Sequence, residues 1–419
     1  MGFLFIQVIA ILIFINTSLA EKFSRRDVDN LSKQFDITFS IDNHLLSSQN
    51  IGTDVALSLI NGLAFLSDSK DINGNPLYRI LTAYGTYFTV LWNHEISGHA
   101  LRTKEFKGKV TGFTMTGLFS AATHHKRRPE DHAQKSAIIS LGGNEASYML
   151  SKKIAAGLIS KQQVIDPVTA SAYIFSSGNQ AFYVYAMRGN LRGHDLTSYV
   201  NNMTKMYGKN STSMSKIKSL GILDFFDPIL ATSIYSLFTG NDAKLPMLNL
   251  TDDIGLIPSA RMVLTPYGVI EKRLIANFIT EQANVKATIG FGKEQKSIIS
   301  VINSNDQKHK VVGGFYGSTT ENTKKRNTYF AELSINQVSL TKNTEIGITT
   351  AYWKQPELLV NTPYSAKLKN GYMIAINSKY QIRDDLNIFT DVGFKNKGFV
   401  IGQHIKKTPL LRVGFNWTL

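Results

Sequence analysis

Cysteine is absent from the 419 residues, which excludes disulfides, thiolate metal sites, cysteine nucleophiles and anchoring through a lipidated cysteine. Charge is also scarce. Asp, Glu, Lys and Arg make up only 18% of the chain, below the usual quarter or so, which argues against a disordered protein. Hydrophobic residues make up 43%. That share is enough for a sizeable core, and the length favours two or three domains.

The sequence also has no P-loop, no G-x-S-x-G nucleophile elbow, no dinucleotide fingerprint and no nucleic-acid motif. Lys and Arg exceed Asp and Glu by 46 − 31 = 15, and the excess is spread along the chain, with its densest point at Lys126-Arg127-Arg128. A dispersed surplus suits an acidic surface such as lipid or lipopolysaccharide. We therefore expect lipid, and no nucleic acid, among the partners.

Residues 1–20 predict a cleaved signal peptide. They carry no charged side chain, include the apolar run Val8–Ile15, and end Ser18-Leu19-Ala20 before Glu21, with small residues at the −3 and −1 positions of a cleavage site. The usual basic residues at the start are missing, and a retained membrane anchor is the alternative. We predict an exported protein of the bacterial envelope, with 419 − 20 = 399 residues after cleavage.

Two halves of the remaining chain differ in the period of their apolar residues. No stretch there reaches the eighteen or so unbroken apolar residues of a spanning helix. Ile80, Tyr84, Phe88 and Leu91 recur three or four apart, which is the helical period. Helices are predicted over 52–66, 77–102, 130–160, 168–188 and 223–238.

From about residue 257 the apolar period is two, which predicts about ten antiparallel strands of about ten residues each. The last of them alternates most clearly, with Leu411, Val413, Phe415, Trp417 and Leu419 on one face and Arg412, Gly414, Asn416 and Thr418 on the other. Turns are predicted at Asn305-Asp306 and Arg383-Asp384-Asp385. Residues 35–42 alternate in the same way, so they can form an early strand that makes the helical part an insertion.

Alternating strands with aromatic ends over about the last 160 residues resemble the outer-membrane β-barrels of Gram-negative bacteria. Leu419 departs from the more typical terminal Phe. The resemblance implies an antiparallel barrel of about 8–12 strands in the outer membrane. The alternative is a soluble antiparallel sandwich.

The sharpest local feature is His94-Glu95-Ile96-Ser97-Gly98-His99. On a regular α-helix, residues five apart lie about 140° apart around the axis, so the two histidines cannot share one metal ion. A one-residue π-type widening restores a common face, and such bulges are frequent at functional sites. Gly98 lowers the cost of that distortion.

This H-E-x-x-x-H pattern is similar to the zinc motif of the dipeptidyl-peptidase III family, over these six residues alone. The resemblance implies that His94 and His99 bind Zn²⁺ and that Glu95 takes a proton from a water molecule. Imidazole ligands suit Zn²⁺, and a catalytic zinc needs a third protein ligand.

For that third ligand the sequence offers Glu145, on a predicted later helix where Gly142-Gly143 allow a close approach to the first. Glu145 as an ordinary polar residue on a helix face is the alternative. A rival cluster is closer in sequence and consists of His124, His125, Asp131 and His132. Arg102 and Tyr183 are weaker candidates for binding a substrate carboxylate or oxyanion, and Tyr185 is a further one. The predicted strand over 109–116 can pair with an extended peptide or with a neighbour in a hairpin.

The sequence thus predicts an α+β protein with four parts. These are the signal peptide (1–20), an N-terminal segment with a possible first barrel strand (21–50), a mainly helical zincin-like domain (51–256) and an antiparallel barrel (257–419). The predicted function is a Zn²⁺-dependent hydrolase of peptides or proteins, anchored in the outer membrane. One alternative is a non-catalytic barrel (a pore, adhesin or assembly factor) whose helical domain is structural or braced by metal. Another is a soluble periplasmic peptidase.

Overall fold

The computed structural model describes residues 36–44, 47–69, 74–115, 120–126, 133–160, 164–186, 194–208, 211–252, 254–280, 283–294, 326–360 and 367–418. The predicted signal peptide and the predicted Asn305-Asp306 turn lie outside these residues. Within them the protein is α+β, with helices in the first half and long antiparallel strands in the second. The predicted fold class is confirmed at that level.

The helices begin with α1, and an irregular segment interrupts the second of them. Their bounds are α1 Gln49–Ser69, α2 Pro76–Trp92, a π-helix Asn93–Ala100, α3 Leu101–Glu105, α4 Ala133–Ser160, α5 Pro167–Ala186, α6 Asp195–Tyr207, α7 Met214–Gly221, a 3₁₀-helix Ile222–Phe225 and α8 Pro228–Thr239. Each of the five predicted helical stretches corresponds to one or more of these segments. Helices α6 and α7 were not predicted.

The strands are shorter in the first half than in the second. Their bounds are β1 Asp36–Asp42, β2 Lys109–Met115, β3 Ala121–Lys126, β4 Val164–Ile165, β5 Ala243–Lys244, β6 Leu248–Asn249, β7 Gly255–Leu264, β8 Ile270–Ile279, β9 Asn284–Glu294, β10 Arg326–Thr341, β11 Thr344–Pro356, β12 Leu368–Arg383, β13 Leu386–Lys395 and β14 Thr408–Thr418. Strands β2 and β3 form a separate hairpin, and β4 pairs with β5.

Ten strands form one antiparallel sheet in the order β1-β14-β13-β12-β11-β10-β9-β8-β7-β6. Strand β1 pairs with β14 from Asp36↔Thr418 to Asp42↔Arg412, so the first and last strands of the chain are neighbours and the helices lie between them in sequence. In the described residues the end strands β1 and β6 do not pair with each other. The predicted barrel is therefore an open sheet as far as strand pairing goes.

The outer face of the sheet is apolar, whereas its inner face carries buried polar and charged side chains together with an apolar cluster of Phe330, Ala351, Trp353 and Met373. Exposed apolar side chains over a whole face are the reverse of a half-buried sheet in a soluble protein. Large apolar side chains are exposed on the outer face of β12, with Ile376 55% exposed. The same face continues over the neighbouring strands with Ile289, Leu333, Ile388, Val392, Leu411, Val413 and Phe415. The alternate positions turn inward and include the buried Arg261, Glu332 and Ser334.

Ion pairs fasten the helices to the inner face. Lys152 of α4 lies 3.1 Å from the Glu332 carboxylate on β10, and Arg412 of β14 pairs with Asp54 of α1. On β7, the Arg261 guanidinium lies 3.0 Å from Asp227 at the start of α8. Glu332, Asp54, Arg261 and Asp227 are buried, and each has a partner of opposite charge in the other layer. The helices and the sheet therefore form one packed unit.

Helical residues also satisfy the free edges of the sheet. At β1, the Ser58 hydroxyl of α1 lies 2.8 Å from the Thr38 amide nitrogen, and Asn61 donates to the Asp36 carbonyl at 3.0 Å. At β7, the Ala260 amide donates to the Phe226 carbonyl at 3.0 Å and the Met262 amide to the Asp224 carboxylate at 2.7 Å. Helices thus take the place of the strand pairs that would close a barrel.

Local sequence explains where these helices start. Asn75 caps α2 by accepting from the Leu77 amide, with Pro76 at the first helical position. Asp227 caps α8 in the same way before Pro228, and α8 ends at Gly240, whose φ of 77° is the left-handed conformation that glycine adopts most easily.

In the described residues, no single helix is long and apolar enough to cross a membrane. One pair of helical segments, Met214–Phe225 and Pro228–Thr239, is long and apolar enough when taken together, but it is bent by 74° between its two parts.

Candidate metal centre

The H-E-x-x-x-H segment is a π-helix. Helix α2 continues without a break into the wider turns of Asn93–Ala100, and α3 follows directly. The predicted widening of the turn is therefore confirmed. Its effect is the predicted one as well, because the His94 and His99 side chains, five residues apart, face the same point.

His94, His99 and Asp195 form a compact triangle. Nε2 of His94 lies 3.3 Å from Nε2 of His99. Oδ2 of Asp195 lies 3.2 Å from the first nitrogen and 3.1 Å from the second. Both histidines are buried, and the Asp195 side chain is 22% exposed. In the described part of the chain, this is the group of three such side chains close enough to hold one metal ion.

The dimensions of this triangle suit a tetrahedral Zn²⁺ ion. Ligand atoms about 2.0–2.1 Å from such an ion lie about 3.3–3.4 Å from one another. The three observed separations of 3.1–3.3 Å are close to that value. Two imidazoles and one carboxylate also leave a fourth position open, as in catalytic rather than structural zinc sites. The residues present therefore fit the ion.

Outer contacts orient both imidazole rings. Nδ1 of His99 lies 2.7 Å from the carbonyl oxygen of Ile139, and because a carbonyl only accepts, Nδ1 carries a hydrogen. In the neutral ring this leaves the Nε2 lone pair directed at the triangle, which is the tautomer that a metal ligand needs. Nδ1 of His94 lies 3.3 Å from the Ser147 hydroxyl.

The side chains of His99 and Asp195 change each other's pKa values. Burial lowers the pKa of His99, but the Asp195 carboxylate, and then Glu95, outweigh it and raise that pKa to about 9. The pKa of Asp195 is correspondingly lowered, mainly by His99, against the effect of its own burial. His99 and Asp195 thus favour each other's charged forms, and a metal ion bound at Nε2 of His99 would compete with the proton there.

Three glycines allow the π-helix to approach α4. A Cβ atom added to Gly98 would lie 2.5 Å from the Cα of Gly143, and one added to Gly142 would lie 2.7 Å from the carbonyl oxygen of Gly98. A Cβ at Gly143 would lie 2.2 Å from Nε2 of His94. The close approach predicted from Gly142-Gly143 is confirmed, and the role of Gly98 is the same close approach.

Glu95 is buried beside this site. The Thr123 hydroxyl of β3 donates to its Oε2 at 2.7 Å, and its charge is close enough to raise the pKa of His99. A carboxylate held in one orientation next to a metal triangle can accept a proton from water. Strand β2, which was predicted to pair with a peptide or within a hairpin, pairs with β3 and so helps to present Thr123.

Glu145 and Arg102 lie close together and away from the triangle. Nε of Arg102 donates to Oε2 of Glu145 at 2.9 Å, its two terminal nitrogens bond to Glu145 and Glu105, and the Gly402 amide donates to Oε1 of Glu145 at 2.7 Å. These contacts occupy the carboxylate that we expected to bind metal and the guanidinium that we expected to bind substrate. Neither side chain belongs to the triangle, because Arg102 is paired with both Glu145 and Glu105.

The remaining candidates whose side chains the structure describes do not join the triangle. His124 is exposed on β3 and lies 2.8 Å from the Thr114 hydroxyl, and His125 is its neighbour on that strand. Asp131 and His132 lie outside the described residues, so the rival cluster cannot be assembled from them. Tyr183 is in α5, with its side chain outside the described part. The hydroxyl of Tyr185 donates to the Lys218 carbonyl at 2.6 Å.

Asp195 is the ligand candidate that the sequence analysis missed. It is the first residue of α6, and His194 caps that helix by accepting from the Leu196 amide. Acidic residues are common in the first turn of a helix because they interact favourably with the helix dipole. Neither this position nor the spacing from His99 marks Asp195 as a metal ligand. The sequence feature that could have pointed to Asp195 is the adjacent pair of potential ligands, His194 and Asp195, at the start of α6.

A large cavity lies elsewhere. It has a volume of about 670 Å³, lies between α1, α4 and the ends of the sheet strands, and is lined by polar groups such as Asn61, Gln337 and Gln381. None of the three triangle residues lines it. The candidate centre is therefore a buried site separate from this cavity.

Comparisons with known proteins add little. No protein-family model and no curated protein matches the chain. Among solved structures it is similar to the NanC porin, with 10% identity over 42% of this chain and 76% of that one and a TM-score of 0.26. It is also similar to the N-terminal β-barrel domain of Pseudomonas aeruginosa OprF, with 10% identity over 40% of this chain and 96% of that one and a TM-score of 0.15. At these TM-scores the likenesses carry no argument.

Proposed function

We propose that the protein is an outer-membrane protein whose ten-stranded sheet lies in the bilayer and whose helices carry a zinc-dependent peptide hydrolase site. The membrane part rests on the reversed polarity of the sheet. An outer face of Ile, Leu, Val and Phe is costly in water and favourable in lipid, whereas the polar inner face already has its partners among the helices.

The aromatic residues of the outer face support this placement. Tyr372 and Tyr352 are paired near one end of the sheet, and Tyr380 and Trp417 lie near the other. Between Tyr372 and Tyr380 the strand rises about 26 Å, and a tilt of about 40° leaves about 20 Å along the membrane normal, close to the apolar band of such proteins. Aromatic side chains at both ends are typical of the two membrane interfaces.

The zinc site rests on the triangle of His94, His99 and Asp195, whose edges suit the ion. When bound, Zn²⁺ supplies Lewis-acid polarisation of a carbonyl and lowers the pKa of water. Ile139 and Ser147 orient the imidazoles, Glu95 accepts the proton of the attacking water, and Thr123 holds Glu95 for that task. Glu95 then returns the proton to the leaving amine.

A Glu95→Gln variant tests the catalytic part. We expect it to keep one equivalent of zinc and to lose cleavage of a fluorogenic peptide library, because an amide cannot take up the proton. Thr123→Val is the companion variant, since it removes the hydrogen bond to Glu95 without touching the triangle, and we expect reduced cleavage with zinc retained. Unchanged cleavage in Glu95→Gln contradicts the proposed role of Glu95.

The second candidate function is a non-catalytic membrane protein whose helical part is braced at this centre. The observation in its favour is the burial of His94 and His99 with the His99–Asp195 ion pair, which holds π-helix and α6 together without a metal ion. In that case the protein purified without zinc shows the same thermal stability as the zinc-loaded form and cleaves no peptide.

A further inference from the structure

A series of helices lies between the edge of β1 and the edge of β7 that β6, a strand of two residues, leaves unpaired. Helix α1 bonds to the edge of β1, and α1 packs against α2. Arg79 of α2 donates to the Phe238 carbonyl at the end of α8 at 2.8 Å. The 3₁₀-helix that precedes α8 bonds to the edge of β7. We call the outer surface of α1, α2 and α8 the helical seam.

The helical seam is as apolar as the outer face of the sheet. Its exposed side chains are Val55, Leu59 and Leu66 on α1, Leu77, Tyr78, Ile80, Leu81 and Trp92 on α2, and Tyr235 and Phe238 on α8. The Ile80 side chain is 66% exposed and Phe238 78%. In a water-soluble wall these positions would carry charge.

The few charged residues of α1 and α2 lie away from the exposed apolar surface or at its end. In α1 the acidic residues are Asp54, which is buried against Lys153 and Arg412, and Asp68 near the C-terminal end. In α2 the charged residue is Arg79, whose guanidinium is directed to backbone carbonyls of α8. The charges of the two helices therefore point away from the exposed apolar stripe or lie at its end.

Helix α2 leads directly to the candidate metal centre. It has 17 residues, about 25 Å at 1.5 Å per residue, and its last residue, Trp92, is 52% exposed. Asn93 begins the π-helix and His94 is the first ligand candidate. The hairpin that holds Glu95 also exposes Phe113 and Met115. Exposed apolar residues thus lie on both the helix and the hairpin that lead to the site.

We propose that the helical seam completes the lipid-facing wall at the gap in the sheet, so that the metal centre lies at the membrane surface and acts on peptides held in the bilayer. The acyl chains of the membrane are the occupant of the seam, because it joins two edges of a sheet whose outer face has the same apolar character. The substrate class rests on the proposed hydrolase function, whereas the lipid contact of the seam does not.

Tryptophan quenching by lipids brominated on their acyl chains tests the lipid contact. Of the three tryptophans, Trp92 lies on the seam, Trp417 on the outer face of the sheet, and Trp353 is buried at 2% exposure. In Trp417→Phe, the quenchable emission comes from Trp92, and the double variant Trp92→Phe/Trp417→Phe gives the background of Trp353. We expect quenching in each single variant and little in the double variant.

The outcomes separate the two proposals. Quenching that is lost in Trp417→Phe shows that the sheet is in lipid and the seam is not, which overturns this inference alone. Quenching in neither single variant overturns the membrane placement as well. The zinc content of the same samples reports on the metal centre independently.

The substrate class is tested with one peptide in two forms, free and N-palmitoylated, added to the same vesicles. We expect kcat/KM to be at least about tenfold higher for the anchored form, because anchoring raises its concentration near the site. Equal rates overturn the membrane-held substrate while leaving hydrolysis intact. Cleavage of neither form overturns hydrolysis and the substrate class together, and the Trp92 measurement then decides the seam alone.

Discussion

Arg102 binds both carboxylate oxygens of Glu145 in the interior, between the π-helix region and α4. This pair carries a consequence for stability rather than for metal binding. Each side chain is about 2–3% exposed, so loss of the Glu145 charge removes one of the two buried carboxylates that bond to Arg102, while the buried Glu105 remains paired with it. The loss of these charged hydrogen bonds is destabilising.

Glu145→Gln should therefore lower the free energy of unfolding by about 1.5–3 kcal/mol and leave the zinc content unchanged. Unfolding in urea from detergent micelles measures the first effect. The matched control is Glu345→Gln, because Glu345 lies 3.6 Å from Lys379 in a pair that is more than one third exposed on both sides. That variant should change stability by less than about 1 kcal/mol. Equal effects in both variants contradict this account.

Gly143→Ala should abolish metal binding without unfolding the protein. The added methyl group would lie 2.2 Å from Nε2 of His94, so the ring must leave the triangle. Gly157→Ala in the same helix is the control, because a Cβ there meets nothing within 4 Å, and alanine gains up to about 1 kcal/mol in helix propensity. Zinc titration by calorimetry compares the two. Normal zinc affinity in Gly143→Ala would show that the ring position is wrong.

Ser58→Ala should loosen the edge of β1. Its hydroxyl bonds to the amide and carbonyl of Thr38, and the loss of these partners costs about 1–3 kcal/mol. Faster hydrogen exchange at the Thr38 amide is the specific result. Thr82→Ala is the comparison, since that hydroxyl donates to the backbone of its own helix. If exchange at Thr38 is the same in both variants, α1 does not protect this edge.

Arginine on the outer face of the sheet should destabilise the protein in a depth-dependent way. Ile376→Arg, between the aromatic ends of β12, is expected to cost about 2–4 kcal/mol in lipid, and Ile382→Arg near the strand end about 0–1 kcal/mol. Both positions are exposed, so in a water-soluble sheet neither change would cost much. Folding into liposomes followed by urea titration gives the two values. Equal, small costs favour a soluble sandwich.

The sequence was most informative where periodicity reports burial directly. The period of two in β12 and β14 and the spacing of Ile80, Tyr84 and Phe88 predicted strand and helix correctly. The geometry of residues five apart predicted the π-helix. The same patterns do not say whether a sheet closes, because closure depends on what satisfies its edges. Here Ser58 and Asp224 do so from helices, and single polar residues on a helix carry no pattern.

Asp195 was missed as a ligand candidate for a related reason. Glu145 and Asp195 are both acidic residues on helices beyond His99, and their chemistry is identical. Which carboxylate reaches the histidines depends on the packing of α4 and α6 and on the competing Arg102, which captures Glu145. Arg102 reaches Glu145 because the π-helix changes the orientation of the helical residues that follow it. Spacing along the chain does not show this orientation.

The most direct test of the metal centre is the zinc content of the purified protein and of two variants, measured by mass spectrometry. The account predicts one equivalent in the wild type, none in Asp195→Ala, and one in Glu145→Gln. A wild type without zinc, or a site that survives in Asp195→Ala and is lost in folded Glu145→Gln, would contradict it.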